Sequence, residues 1–200
     1  MARERSSIAS GPSERVQAPL TTTEAALLGL LSRGAGSGYE LSKRIERGVA
    51  FIWAPARSGV YAVLPRLVAK GYASREDVSQ TGRPDKQVYR LTRRGRAALR
   101  EWLEEGALEP EISKNPFLLK LFFGAEMRPG AVIELVRARK QEAEATLVRL
   151  RAIEREILAL GPDREKDYFN YFTLKWGLEY YRALIRWTDA TLGELESRFG

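Results

Sequence analysis

The sequence predicts a mostly α-helical protein with one small β-hairpin, a winged helix-turn-helix over residues 21–105 followed by an all-helical domain over residues 110–200. Three observations predict it. Val60, Val63, Leu64 and Leu67 recur at helical spacing and gather on one side of a helix ending at Gly71, opposite a side of Ser58, Ala62, Arg66 and Ala69. Directly afterwards come the run YASRED (72–77), a turn at TGRPD (81–85) and the run KQVYRL (86–91), the pattern of two strands joined by a turn. Finally, Leu174, Leu178, Tyr181, Ile185, Thr188, Leu192, Leu195 and Phe199 alternate steps of four and three, the seam of a long heptad-like helix.

Residues 1–20 are rich in Ser, Arg, Gly and Pro without periodicity, so a disordered arm is expected. Arg3, Arg5 and Arg15 are of the kind that enters a minor groove, but disorder without a role is the simpler reading. Thr21 and Glu24 form a T-x-x-E capping signal for a first helix carrying Ala26, Leu27, Leu30 and Leu31. Ser37 and Glu40 repeat the device for a second, with Leu41 and Ile45 as its stripe. The GxGxG run at 34–38 follows a helix rather than a strand, which makes it a turn and not a dinucleotide loop. Ser58 is the expected cap of the third helix, and Pro65 should kink it on the side away from its apolar stripe. Thr92 caps a fourth helix whose core side is Ala98, Leu99, Trp102 and Leu103, ending near Gly106, and Pro110 marks a boundary. In the second half, Asn115 before Pro116 opens the short apolar helix PFLLKLFFG. A helix of about 30 residues begins at Pro129 and stops at Gly161-Pro162, and a last one runs from about Asp163 to Phe199.

Composition narrows the chemistry. With no cysteine and no histidine among 200 residues, disulfides, thiolate nucleophiles, imidazole bases and the usual zinc ligands are removed together. No catalytic residue, metal ligand or cofactor is therefore expected. No run approaches the roughly 18 apolar residues of a membrane span and the N-terminus lacks an apolar signal core, so the expected location is the cytoplasm. The formal charge of +7 lies wholly in the first half, where residues 1–105 hold 18 Lys and Arg against 11 Asp and Glu. Within it, residues 57–100 hold 11 cations and 3 anions. A polyanionic partner such as double-stranded DNA is the direct reading, and a solvated basic face the bland one.

The stretches LLGLLSRGAGSGYELSKRI (27–45), SGVYAVLPRLVAKGYASRE (58–76) and GRPDKQVYRLTRRGRAAL (82–99) resemble the winged-helix domain of PadR-like transcriptional regulators. PFLLKLFFG resembles the opening of the helical C-terminal domain in larger members of that family. The resemblance implies a homodimer whose C-terminal helices interlock and whose two wing domains straddle a pseudo-palindromic operator, with repression as the family default. Position by position, Tyr61 matches the family's recognition-helix tyrosine, and Arg83 and Lys86 its basic wing tip. This chain departs from the family pattern with Ala62 after that tyrosine, Pro65 three residues later, and Asp85 in the wing.

The residue reading assigns Arg57, Ser58, Ala62 and Arg66 to base edges in a major groove, Tyr61 to phosphate, and Arg83 and Lys86 to backbone or minor groove. Trp53, Leu64 and Tyr89 are assigned to core. Leu174, Leu178, Tyr181, Ile185, Leu192 and Leu195 are the expected dimerisation seam; packing against the 129–160 helix of the same chain is the bland alternative, and the last helix is expected to do both. Eight of the 19 aromatics fall between Tyr168 and Trp187. They form either dimer core, which their number favours, or a pocket for a planar effector built on Phe172, Trp176 and Tyr180; the resemblance implies that some relatives release DNA on binding phenolic acids. A protein-binding scaffold without sequence-specific DNA binding is the competing function, and the basic stretch at 57–100 argues against it.

Overall fold

The computed structural model describes residues 19–79, 86–105, 115–159 and 165–199. Seven helices and two strands follow in order: α1 (Thr22–Ser32), α2 (Gly38–Gly48), α3 (Arg57–Ala69), β1 (Ala73–Val78), β2 (Lys86–Leu91), α4 (Arg93–Glu105), α5 (Pro116–Phe122), α6 (Pro129–Ala159) and α7 (Glu165–Phe199), with a 3-10 turn at Gly124–Glu126. They form two units. One comprises residues up to 43 and 55–107, the other residues 44–54 and 108 onward. The N-terminal arm, the turn carrying Arg83, the boundary at Pro110 and the Gly161-Pro162 stop lie outside the described residues.

In the first unit the helix starts are set by side chains. The Thr21 hydroxyl accepts from the Glu24 N–H at 3.3 Å while Glu24 Oε2 accepts from the Thr21 N–H at 3.0 Å, a complete capping box for α1. Ser37 and Glu40 reproduce it at α2, at 3.3 and 2.9 Å. For α3 the expected cap fails: the helix begins at Arg57 behind Ala56, no side chain caps it, and Ser58 lies inside its first turn. At its far end Gly71 adopts φ +70°, the left-handed conformation glycine takes without strain. The Tyr72 N–H then reaches the Leu67 carbonyl at 2.8 Å and the Gly71 N–H the Val68 carbonyl at 2.9 Å, which closes the helix and aims the chain into β1.

The core of this unit is the stripe predicted for α3, with Val60, Val63, Leu64 and Leu67 buried beside Leu27, Leu28, Leu31 and Leu41. Pro65 lies on the exposed side and α3 continues past it to Ala69. β1 and β2 pair antiparallel from Ala73–Leu91 to Val78–Lys86. Gly36, in the loop between α1 and α2, adds a bridge to Tyr89, exchanging two backbone hydrogen bonds of 3.0 and 3.1 Å. The Gly-rich run is therefore a turn that also lends the hairpin a third edge.

Thr92 caps α4 by accepting from the Gly95 N–H at 2.9 Å, and its hydroxyl donates within reach of the Gly71 and Tyr72 carbonyls. A Cβ on Gly95 would stand 2.0 Å from the Tyr72 carbonyl oxygen, so only glycine lets α4 come this close. Leu99 is buried as expected, but Trp102 and Leu103 are exposed and do not belong to the core. α4 turns only its first half inward.

In the second unit α6 and α7 run antiparallel, as the Arg137–Glu196 and Lys140–Asp189 ion pairs at 2.9 and 2.6 Å require. Leu147, Leu150, Leu174 and Leu178 form its core, with Ile153, Ile157, Tyr171, Tyr181, Ile185 and Phe51 packed around them. Burying each such leucine stabilises by roughly 2 kcal/mol. The residues of the expected dimerisation seam take part in this packing inside the chain. Leu174, Leu178 and Leu192 are buried within the chain, Tyr181 and Ile185 pack on the same core, and Leu195 is half-buried. The heptad pattern reports the pairing of α7 with α6, because any antiparallel partner helix generates the same spacing. Asn115 caps α5 by accepting from the Leu118 N–H at 3.1 Å, with Pro116 at the first helical position. No helix among the described residues is long and apolar enough to cross a membrane.

Candidate functional site

The inward stripe of α3 is fixed by Val60, Val63, Leu64 and Leu67, which leaves the opposite side of the helix facing outward. Arg57, Ser58, Tyr61, Ala62 and Arg66 are all exposed, as expected from the sequence, with Pro65 and Ala69 between and beyond them. Small residues alternate with two guanidinium groups and one phenol. Such a face can approach a polyanion closely, since no bulky apolar group stands between backbone and partner. Tyr61 is 53% exposed, yet its ring lies over the start of α2, where a Cβ on Gly38 would be 2.6 Å from the ring edge. Gly38 thereby admits Tyr61, and α2 and α3 present their outer faces together. The exposed Tyr39, with Lys43 5.9 Å above its ring, stands on α2 next to that contact. Sequence reasoning quoted both residues within the stretch 27–45 but gave neither a role, because neither lies on an apolar stripe.

The wing cation is engaged. Lys86 Nζ donates to Glu40 Oε1 at 2.7 Å, and Lys86 is half-buried. Glu40 Oε2 meanwhile accepts from the Ser37 N–H and hydroxyl at 2.9 and 3.2 Å. These donors, Lys86 first and then the Ser37 N–H, hold the Glu40 carboxyl down at about 2. Lys70 and Glu24 show the same design at α1, at 2.7 Å, with Glu24 only 3% exposed. Burial pushes the Glu24 carboxyl up, but Lys70 and Thr21 outweigh it and the net displacement is downward. Each capping glutamate thus uses one oxygen for its cap and the other for a lysine 46 residues downstream. The caps were legible in sequence; the lysines were not.

Leu64 and Tyr89 are buried as assigned, and Trp53 is half-buried.

The second unit carries a different surface. Tyr168, Phe169, Phe172, Trp176, Tyr180 and Trp187 are exposed on α7, and on α5 Phe122 is 80% exposed beside Phe123 and Leu119. Trp176 and Tyr180 stack at 5.4 Å between ring centroids. They line a cavity of about 560 Å³ with Phe51, Ile52, Arg139, Thr173 and Tyr181. Of the three residues expected around a planar ligand, Phe172 is not in its wall and packs edge-on to Tyr168 instead. Arg139 supplies the cation of the cavity. Its Nη1 bonds Glu142 at 2.7 Å, whereas its buried Nε finds no acceptor among the described residues. Burial pushes the Tyr181 phenol above its usual pKa, so it stays a donor. Among the described residues no cluster of carboxylates could hold a metal ion.

Two family descriptions match the chain, the transcriptional regulator PadR-like family over residues 27–101 and the virulence activator alpha C-terminal domain over residues 113–196. The chain is 25% identical over 174 residues to the negative transcriptional regulator PadR of Bacillus subtilis, covering 86% of this chain and 96% of that one. Among solved structures, Bacillus subtilis PadR in complex with operator DNA superposes with a TM-score of 0.78 at 25% identity, covering 89% of this chain and 99% of that one. The same regulator in complex with p-coumaric acid shares the fold at a TM-score of 0.66 and 24% identity, over 86% and 94% of the two chains.

Proposed function

Since this chain belongs to the PadR-like family of transcriptional regulators, we propose that it is a sequence-specific DNA-binding regulator that represses transcription as a homodimer on a pseudo-palindromic operator. The observation that carries this reading is the outer face of α3. Arg57, Ser58, Ala62 and Arg66 lie together there, on a unit whose apolar stripe is already buried. Placed in a major groove, the two arginines reach guanine edges, while Ser58 and Ala62 allow close approach. Tyr61 donates to a flanking phosphate. The 11 cations between residues 57 and 100 supply the counterion-releasing attraction common to every duplex. Arg83 at the wing adds to the backbone contacts.

The homodimer is supported by the apolar surface of α5 and α7, with Phe122, Phe123, Phe169 and Trp187 as its exposed aromatics. A small aromatic effector is supported by the cavity between Trp176, Tyr180 and Arg139, in which a ring meets the stacked aromatics and a carboxylate meets the guanidinium. The cytoplasm is where such a regulator meets its operator.

A gel shift of promoter fragments against a random duplex, at two salt concentrations, tests the reading. A promoter fragment should bind at least about a thousandfold more tightly than the random duplex. Equal affinity for both would sink sequence specificity and favour the scaffold alternative. For the effector, p-coumaric acid should quench tryptophan fluorescence and lower DNA affinity together; saturation without a change in DNA binding removes that part of the proposal.

A further inference from the structure

We propose that Lys86 is a positioning residue, which with Glu40 forms a latch fixing the wing to the start of α2, and that it does not serve as a phosphate contact. The inference rests on the DNA-binding reading above but reassigns one of its cations.

A two-stranded hairpin is marginal by itself and needs a third element to hold it. Here the root of the wing is held twice, by the Gly36–Tyr89 bridge with Tyr89 buried, and by Thr92 bonded to the Gly71 and Tyr72 carbonyls. Lys86 and its register partner Val78 are at the opposite end, five positions from the Ala73–Leu91 pair. At that end the Lys86–Glu40 pair joins β2 to α2. Glu40 is suited to the task because Ser37 already immobilises its carboxylate through two hydrogen bonds on the other oxygen. A lysine held by a fixed carboxylate at 2.7 Å is neutralised locally. To reach a phosphate it must give up that partner and release the wing. Lys70 on Glu24 is the same construction at α1, where it ties the end of α3 to the start of α1.

The two roles predict opposite signs for Glu40→Gln. Glutamine keeps an acceptor for the Ser37 N–H, so the cap of α2 survives while the latch loses its charge. If Lys86 were a phosphate contact, removing a competing anion should raise DNA affinity and steepen its salt dependence. As a latch residue it should do the reverse. Fluorescence anisotropy with the labelled promoter fragment that shifts best, from about 50 to about 200 mM salt, should show Glu40→Gln and Lys86→Met each weakening binding about three- to tenfold, with the slope of log affinity against log salt unchanged. The double variant should be no weaker than either single one. Amide hydrogen exchange on the free protein reads the latch without DNA: the β2 amides of Val88 and Arg90, which face β1 because Tyr89 bonds on the other side to Gly36, should exchange faster in both variants. Unchanged or higher affinity in Glu40→Gln, a slope reduced by about one in Lys86→Met, or unaltered β2 exchange would overturn the proposal. Absence of DNA binding by the wild type would sink the functional reading, while the exchange data still decide the latch.

Discussion

The two units put their aromatic and cationic side chains to opposite uses. In the winged unit, Tyr72 and Tyr89 are buried and the cations of α3 face outward. In the helical unit ion pairs tie α6 to α7, through Arg137 with Glu196 and Lys140 with Asp189, while seven aromatics of α7 are exposed. A soluble monomer rarely leaves so contiguous an apolar surface uncovered. The winged unit has a finished core and an unfinished electrostatic surface; the helical unit has balanced charge and an unfinished apolar surface. The proposed function accordingly gives each unit a different partner chemistry, a polyanion for one and a second apolar face for the other.

This contrast can be broken most severely at Leu178. If the α7 seam is chain-internal core, Leu178→Ala should destabilise the protein by about 3 kcal/mol, measured by urea unfolding, and by the same amount at every protein concentration. A loss that appears only through dimer dissociation would restore the seam to the interface. In the winged unit, Gly95→Ala should cost about 2 kcal/mol, because the new methyl meets the Tyr72 carbonyl and α4 must retreat. Recovery of the cost by α4's improved helix propensity would show that the close approach is dispensable.

Exposed aromatics should behave differently from both. Phe122→Ser combined with Phe169→Ser should leave urea stability at low concentration within about 0.5 kcal/mol. Light scattering should meanwhile show the dimer dissociation constant raised about tenfold or more, the loss of one interfacial anchor being enough for that. An unchanged dissociation constant would mean that the partner surface lies elsewhere on α5 and α7.

The smallest effect concerns pH. Glu40 is held at about 2 when folded, against an ordinary value of 4.5, and Glu24 is also displaced downward. Their stabilisation is complete above the unfolded value and is lost as pH falls from about 4.5 towards the folded value near 2. Wild type and Glu40→Gln should consequently differ in unfolding midpoint at pH 7, with the gap narrowing below about pH 4.5 and closing only towards pH 2. Glu40 is well exposed to solvent, so the difference should be small. A constant gap across that range would show that the Lys86 pairing does not favour the folded state.

What the sequence by itself determined is local. Capping boxes, proline at the start of α5, the α3 stripe and the hairpin pattern each depend on residues a few positions apart, and backbone geometry turns such spacings directly into structure. From these followed the helix order, the wing, and the outward side of α3. Ser58 failed as a cap because the helix began two residues earlier, at Arg57 behind Ala56, and Trp102 and Leu103 failed as core because the neighbouring elements cover only the first half of α4. Only tertiary structure could decide which side of α7 meets α6, since a heptad seam is the same whether its partner is the same chain or another. It alone paired Glu24 with Lys70 and Glu40 with Lys86, because a contact between charges 46 residues apart leaves no periodicity for sequence to carry. It also enclosed Arg139 among Trp176, Tyr180 and Phe51, bringing to one cavity residues from three separate stretches of the chain.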